Sequence, residues 1–123
     1  KPASFFVPLL MMNTNILEAA RISKIKKIVY TSSIGAYAPA KIFYEDKDNF
    51  DKQPMDMFPG WAKRMAELQI KSYQIQYNMK NISIVRPSNI YGPGDNFDEK
   101  NAMVIPSLIS KICKSKNGII EVR

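Results

Sequence analysis

The sequence predicts an α/β fold: a parallel β-sheet whose strands are joined by helices. Two observations carry this. Helical and strand patterns alternate along the 123 residues, and alternating elements close into parallel sheets through right-handed helical crossovers. Both readable strands are short and almost wholly apolar, as strands are when helices cover the sheet.

Leu9 to Ile22 reads as a helix, since Met12, Ile16, Ala19 and Ala20 recur at spacings of three and four. Pro8 is placed in its first turn, where the missing N–H costs nothing. Lys27 to Thr31 is β-branched and aromatic and reads as a buried strand. Ser32 to Pro54 is a long irregular stretch, the kind that carries function or local structure. A second helix is expected from about Pro59 to Tyr77, with Trp61, Met65, Leu68, Ser72 and Ile75 as its core stripe. Asn81 to Val85 is the second strand. Arg86 to Lys100 is a loop containing Pro87, Gly92, Pro93 and Gly94. A third helix covers about Met103 to Lys114, Gly118 breaks it, and Ile119 to Val122 begins a further strand. Open parallel sheets bind ligands at the carboxyl ends of their strands. That rule selects Thr31-Ser32-Ser33 and Arg86-Pro87-Ser88-Asn89.

Composition narrows the function. Apolar residues make up 46%, so the chain is globular. No run approaches the roughly 20 apolar residues of a membrane span. Phe5 to Met12 is apolar but lacks the cleavage site of a signal peptide. The chain begins at Lys1 rather than Met and is expected to be part of a longer one. With one cysteine, Cys113, no internal disulfide forms, which fits a cytoplasmic protein. Cys113 is expected to be buried filler. The absence of histidine removes Ser-His and Cys-His catalysis and most zinc sites from this chain, and no metal site is expected. The net charge is +7, but the lysines are scattered, so neither a nucleic-acid nor a membrane partner is expected.

Five segments resemble the extended short-chain dehydrogenase/reductase group, the NAD-dependent epimerase/dehydratase family acting on nucleotide sugars. Ile28-Val29-Tyr30-Thr31-Ser32-Ser33-Ile34-Gly35-Ala36-Tyr37 is similar to the family's strand-end serine motif. Asn13 to Arg21 resembles the preceding helix. Gly60-Trp61-Ala62-Lys63-Arg64-Met65-Ala66-Glu67 resembles the helix with the catalytic lysine. Val85-Arg86-Pro87-Ser88-Asn89-Ile90-Tyr91-Gly92-Pro93 is similar to the signature after the next strand, and Asn101 to Ile109 to the substrate-contacting segment. The resemblance implies a partial Rossmann-like doubly wound parallel sheet. Residues 1–123 would be the central part of an NAD(P)-binding domain, lacking the glycine-rich loop and most of the substrate domain. It implies NAD or NADP as cofactor, a nucleotide-sugar substrate and a homodimer of the full-length protein. It implies Ser33 and Lys63 as catalytic, Thr31, Ser32, Lys63, Arg86 and Pro87 at the cofactor, and Asn89, Asn101 and Val104 at the substrate.

The family's chemistry uses a tyrosine four residues before the lysine, a phenol whose pKa the ammonium lowers. Here that position is Pro59. Either another acid serves, with Tyr37, Tyr44, Glu45 and Asp46 as candidates, or turnover is lost and nucleotide binding kept. Pro8, Leu9 and Leu10 also stand where relatives carry an asparagine. Blander roles exist beside the sharp ones. Ser33 would cap a turn, Lys63 would be a solvated helix lysine, and Asn89 would hold its own backbone. Asn101 and Val104 would be helix cap and core.

Overall fold

The computed structural model describes residues 2–46, 51–98 and 100–122. The chain forms two compact units, Lys1–Ser88 and Asn89–Arg123. In the first, helix α1 (Pro2–Ile22) leads to strand β1 (Ile28–Thr31), a single 3₁₀ turn (Ile34–Ala36), helix α2 (Met57–Tyr77) and strand β2 (Ile82–Val85). The second contains helix α3 (Val104–Lys114).

β1 and β2 pair in parallel, with Ile28 opposite Ile82 and Thr31 opposite Val85. The crossover between them is α2, as the alternation of elements predicts. Leu17 of α1, Ile70 of α2 and Ile82 of β2 form the core, with Ile28, Tyr30, Tyr73 and Met79 packed against them. The opposite sheet face carries Val29 and Val85, which are 58% and 45% exposed.

The helices differ from expectation in extent and in facing. α1 starts at Pro2, so Pro8 lies inside it rather than in its first turn. The extra turns are held from outside, by Phe6 against Phe58 at 6.1 Å between ring centroids. α1 buries Asn13, Leu17 and Ala20, while Met12 and Ile16 are exposed. α2 buries Gly60, Ala62, Arg64, Ala66, Glu67 and Ile70. The expected core stripe faces outward: Trp61, Met65, Leu68 and Ile75 are all exposed. The small inward residues of α2 lie where it packs against α1, β2 and the 3₁₀ turn. α2 ends at Asn78, whose left-handed φ of 55° suits asparagine as a cap.

No strand forms at 119–122. Ile119 N–H donates to Asn117 Oδ1 (3.2 Å) and Ile119 O accepts from Ser115 Oγ (3.0 Å), a local turn around Gly118. A strand needs a ladder partner, and none pairs with it among the described residues. Cys113, expected inside, is exposed.

The amino end of α2 approaches the 3₁₀ turn closely. A Cβ on Gly60 would collide with the backbone oxygen of Gly35 and lie 2.7 Å from Pro54 Cβ. The Gly35 oxygen also accepts from Asp56 N–H at 3.2 Å. Gly60→Ala is therefore expected to destabilise the fold by roughly 1–3 kcal/mol, as overpacking does. Gly92→Ala, with open space around it, is expected to stay within about 0.5 kcal/mol. Urea denaturation of the two variants checks the contrast.

Candidate functional site

The carboxyl ends of β1 and β2 are joined by one buried carboxylate. Glu67, 5% exposed, accepts from the Ser32 hydroxyl at the end of β1. It also accepts from Arg86 after β2, through Nε at 2.9 Å and Nη2 at 2.6 Å. Arg86 lies over the Tyr37 ring at 4.7 Å. Ser32 and Arg86 thus direct their side chains to Glu67.

Lys63 stands four residues before Glu67, on the same side of α2. Its Nζ donates to Thr31 O at 2.7 Å and sits 5.3 Å from the Tyr30 ring centroid. Burial lowers its pKa from the usual lysine value. The structure therefore brings Lys63 to Thr31. Ser33 turns back: its Oγ accepts from Gly35 N–H at 3.0 Å and caps the 3₁₀ turn. Pro87 O accepts from Ile34 N–H at 3.1 Å, joining the two strand-end segments.

Two clefts flank these groups. A cavity of about 300 Å³ is lined by Thr31 and Lys63 together with Asn13, Leu17, Tyr30 and Ile70, among others. A second, of about 580 Å³, is lined by Tyr37, Glu45, Ile84, Val85, Arg86 and Pro87. Tyr37 and Glu45, two of the candidate substitute acids, thus line the Arg86 cleft. Tyr44 and Asp46 are exposed. Pro59, in the first turn of α2, occupies the position one turn before Lys63.

Asn89, Asn101 and Val104 lie in the second unit. Asn89 and Val104 line a small cleft of about 60 Å³ there. Asn101 is drawn into its own loop, its Nδ2 donating to Asp98 Oδ2 at 2.6 Å. Among the described residues no group of His, Cys, Asp or Glu is arranged to hold a metal, and no helix is long and apolar enough to cross a membrane.

Three site residues escaped the sequence reading. Glu67 had a signal, since a carboxylate four residues after Lys63 shares its face. Arg64, 4% exposed, had none. Its Nε donates to Ala36 O at 2.5 Å, tying α2 to the strand-end turn. Tyr30 reads as a strand residue. Burial, then the Glu67 charge, pushes its phenol up to about 12.

The model of the NAD dependent epimerase/dehydratase family matches residues 1–122. GDP-L-fucose synthase 1 of Arabidopsis thaliana is 31% identical over 98% of this chain and 38% of its own length. Probable GDP-L-fucose synthase 1 of Oryza sativa subsp. japonica is 30% identical over 94% of this chain and 36% of its own length. The chain thus spans little more than a third of these curated relatives. The fold matches a GDP-L-fucose synthetase from Naegleria fowleri bound to NADP, with a TM-score of 0.79 at 27% identity, over 94% of this chain and 38% of that one. It also matches a GDP-mannoheptose C4 reductase from Campylobacter jejuni with NADP bound, with a TM-score of 0.79 at 28% identity, over 91% of this chain and 34% of that one.

Two outcomes follow from the geometry. Glu67→Leu leaves the Arg86 guanidinium largely buried without its carboxylate and is expected to cost about 3–5 kcal/mol. Adding Arg86→Met is expected to recover most of it. Chemical denaturation of the single and double variants measures both. In a lysine ¹⁵N NMR titration, the Lys63 ammonium is expected to lose its proton at lower pH than the exposed lysines. The sign follows from burial, which disfavours the cation.

Proposed function

This chain belongs to the NAD dependent epimerase/dehydratase family, and on that premise we propose that the whole protein is an NADP-dependent reductase or epimerase of a GDP-linked keto sugar. The observation that carries this reading is Lys63, whose half-buried ammonium stands at the carboxyl end of β1 beside Thr31-Ser32-Ser33. That is where parallel sheets of this kind hold their ligands. The NADP bound in the two structural neighbours supports the choice of cofactor, and the GDP-sugar names of the relatives support the substrate class.

The residues present fit one side of such a site. A donor ammonium is available to a ribose hydroxyl. Ser33 is available to the reacting oxygen once it leaves Gly35 N–H. Ser32 and Arg86 act indirectly in this reading, holding the two strand ends through Glu67, with Thr31 and Pro87 shaping the backbone. Asn89, Asn101 and Val104 serve the sugar nucleotide. When bound, the cofactor supplies the hydride. The same reading makes the whole protein a homodimer, as the resemblance implies, and a cytoplasmic one, as the single cysteine suggests.

A second reading has one specific observation in its favour: proline at position 59, where the family's acid stands. In it the fold binds the dinucleotide without turnover. Proline costs α2 no hydrogen bond in its first turn, so the position tolerates the change in either direction.

The test uses the whole protein with NADPH and a GDP-linked 4-keto sugar, following cofactor binding by fluorescence and turnover by absorbance. Lys63→Met is expected to weaken NADPH binding. Pro59→Tyr, which sets a phenol one turn before Lys63, is expected to raise turnover by roughly 10²–10⁴-fold if the base has been lost. A neutral or harmful effect would show that a substitute acid already works. No NADPH binding by either form would remove the dinucleotide reading.

A further inference from the structure

Pro59 stands where the family's phenol is expected, while another phenol, that of Tyr37, is held just beyond the carboxyl end of β1. Ser33 is the amino-terminal cap of the 3₁₀ turn and Tyr37 its carboxyl-terminal cap, with Tyr37 N–H donating to Ile34 O at 3.0 Å. Neighbouring segments fix that turn. Pro87 O accepts from Ile34 N–H at 3.1 Å, Gly35 O from Asp56 N–H at 3.2 Å and Tyr37 O from Met55 N–H at 2.7 Å. Arg64 Nε donates to Ala36 O at 2.5 Å. The centroid of the Tyr37 ring lies 4.7 Å from the Arg86 guanidinium and 5.6 Å from the centroid of the Phe43 ring. Glu67 holds that guanidinium through two hydrogen bonds and offsets part of its charge. Tyr37, Glu45, Arg86 and Pro87 line the cleft of about 580 Å³, within the range of small-molecule sites.

We infer that Tyr37 is the proton donor to the keto oxygen of the substrate, in place of the phenol missing at position 59. The inference rests on the proposed function and names the group that completes its chemistry. Three features single Tyr37 out. Of the four candidate acids, Tyr44, Glu45 and Asp46 are exposed and Tyr37 is half-buried; a phenol carries a proton to give, whereas an ionised carboxylate only accepts. A proton donor has to be held within hydrogen-bond reach of its target, and the bonds from Met55, Asp56, Arg64 and Pro87 fix the backbone that carries this one. The Arg86 cation already lies against the ring that becomes anionic when the proton leaves. In the step itself, Tyr37 gives its O–H proton to the keto oxygen as that oxygen takes the electron pair displaced by the arriving hydride. The ketone is reduced to an alcohol, the dihydronicotinamide is oxidised, and the phenolate regains a proton from water. Ser33 stands at the other end of the same turn, so one short element carries both hydroxyls.

The experiment uses the whole protein, NADPH and a GDP-linked 4-keto sugar. Tyr37→Phe keeps the ring on Arg86 and removes only the hydroxyl. It is expected to lower kcat by roughly 10²–10⁴-fold and to leave NADPH affinity unchanged. Adding Pro59→Tyr is expected to return turnover, since a phenol then stands one turn before Lys63. A second measurement needs neither turnover nor cofactor. In Tyr37→3-fluorotyrosine, the ¹⁹F resonance is expected to shift when the keto sugar is added and to stay in place with GDP alone. If Tyr37→Phe does not fold, the fluorine signal decides. Undiminished turnover by Tyr37→Phe, or a fluorine signal indifferent to the keto sugar, would overturn the inference. So would a natural protein that binds NADPH and the keto sugar without turnover, an outcome that leaves the nucleotide-binding reading standing. Absence of NADPH binding by the natural protein would remove the proposed function, and this inference with it.

Discussion

The arrangement depends on a buried carboxylate. Glu67 touches both strand ends, through Ser32 and Arg86. It does so from α2, the helix that crosses between the strands. Two ionised groups have been taken out of water, and their attraction offsets that cost only when the remaining hydrogen bonds are made. Here they are: the carboxylate accepts from the Ser32 hydroxyl and two guanidinium nitrogens, and the Tyr37 ring covers the guanidinium. Fixing Glu67 fixes the rotation of α2. Lys63, one turn earlier on the same face, is thereby aimed at the end of β1.

The same rotation decides what is left outside. With Gly60, Lys63, Glu67 and Ile70 directed inward, the bulky stripe of α2 faces away from the sheet. Ile75 is 77% exposed and Leu68 61%. α1 behaves alike, presenting Phe5, Met12 and Ile16 outward. The small inward residues are what let α2 approach so closely that a single added methyl at Gly60 meets a backbone oxygen. Exposed apolar area of this extent is unusual for a surface meant to stay in water.

The candidate site was legible where chemistry is written in adjacent residues. Thr31-Ser32-Ser33 and Arg86-Pro87 lie at strand ends, and Lys63 reaches the first of them. The separation of roles among these residues was not legible. Ser32 and Ser33 are neighbours of the same type, yet one hydroxyl goes to Glu67 and the other to Gly35 N–H. Successive residues at a strand end point to opposite sides, and only the packed helix determines which side holds a carboxylate.

From the sequence alone came the alternation of elements, the two parallel strands, the crossover helix and the polar strand ends. Those are local properties: β-branched runs, turn residues and spacings along one chain. The face of each helix, the absence of a strand at 119–122 and the tether between Lys63 and Thr31 came only with the tertiary structure. Hydrophobic periodicity assumes that the apolar stripe of a helix faces the core. In α2 the inward stripe is small and charged, because Glu67 has to reach Arg86 and Ser32. Leu68 and Ile75 lie on the other face and are exposed in this chain, which spans little more than a third of its curated relatives, and no pattern of single residues records which face a partner element will cover.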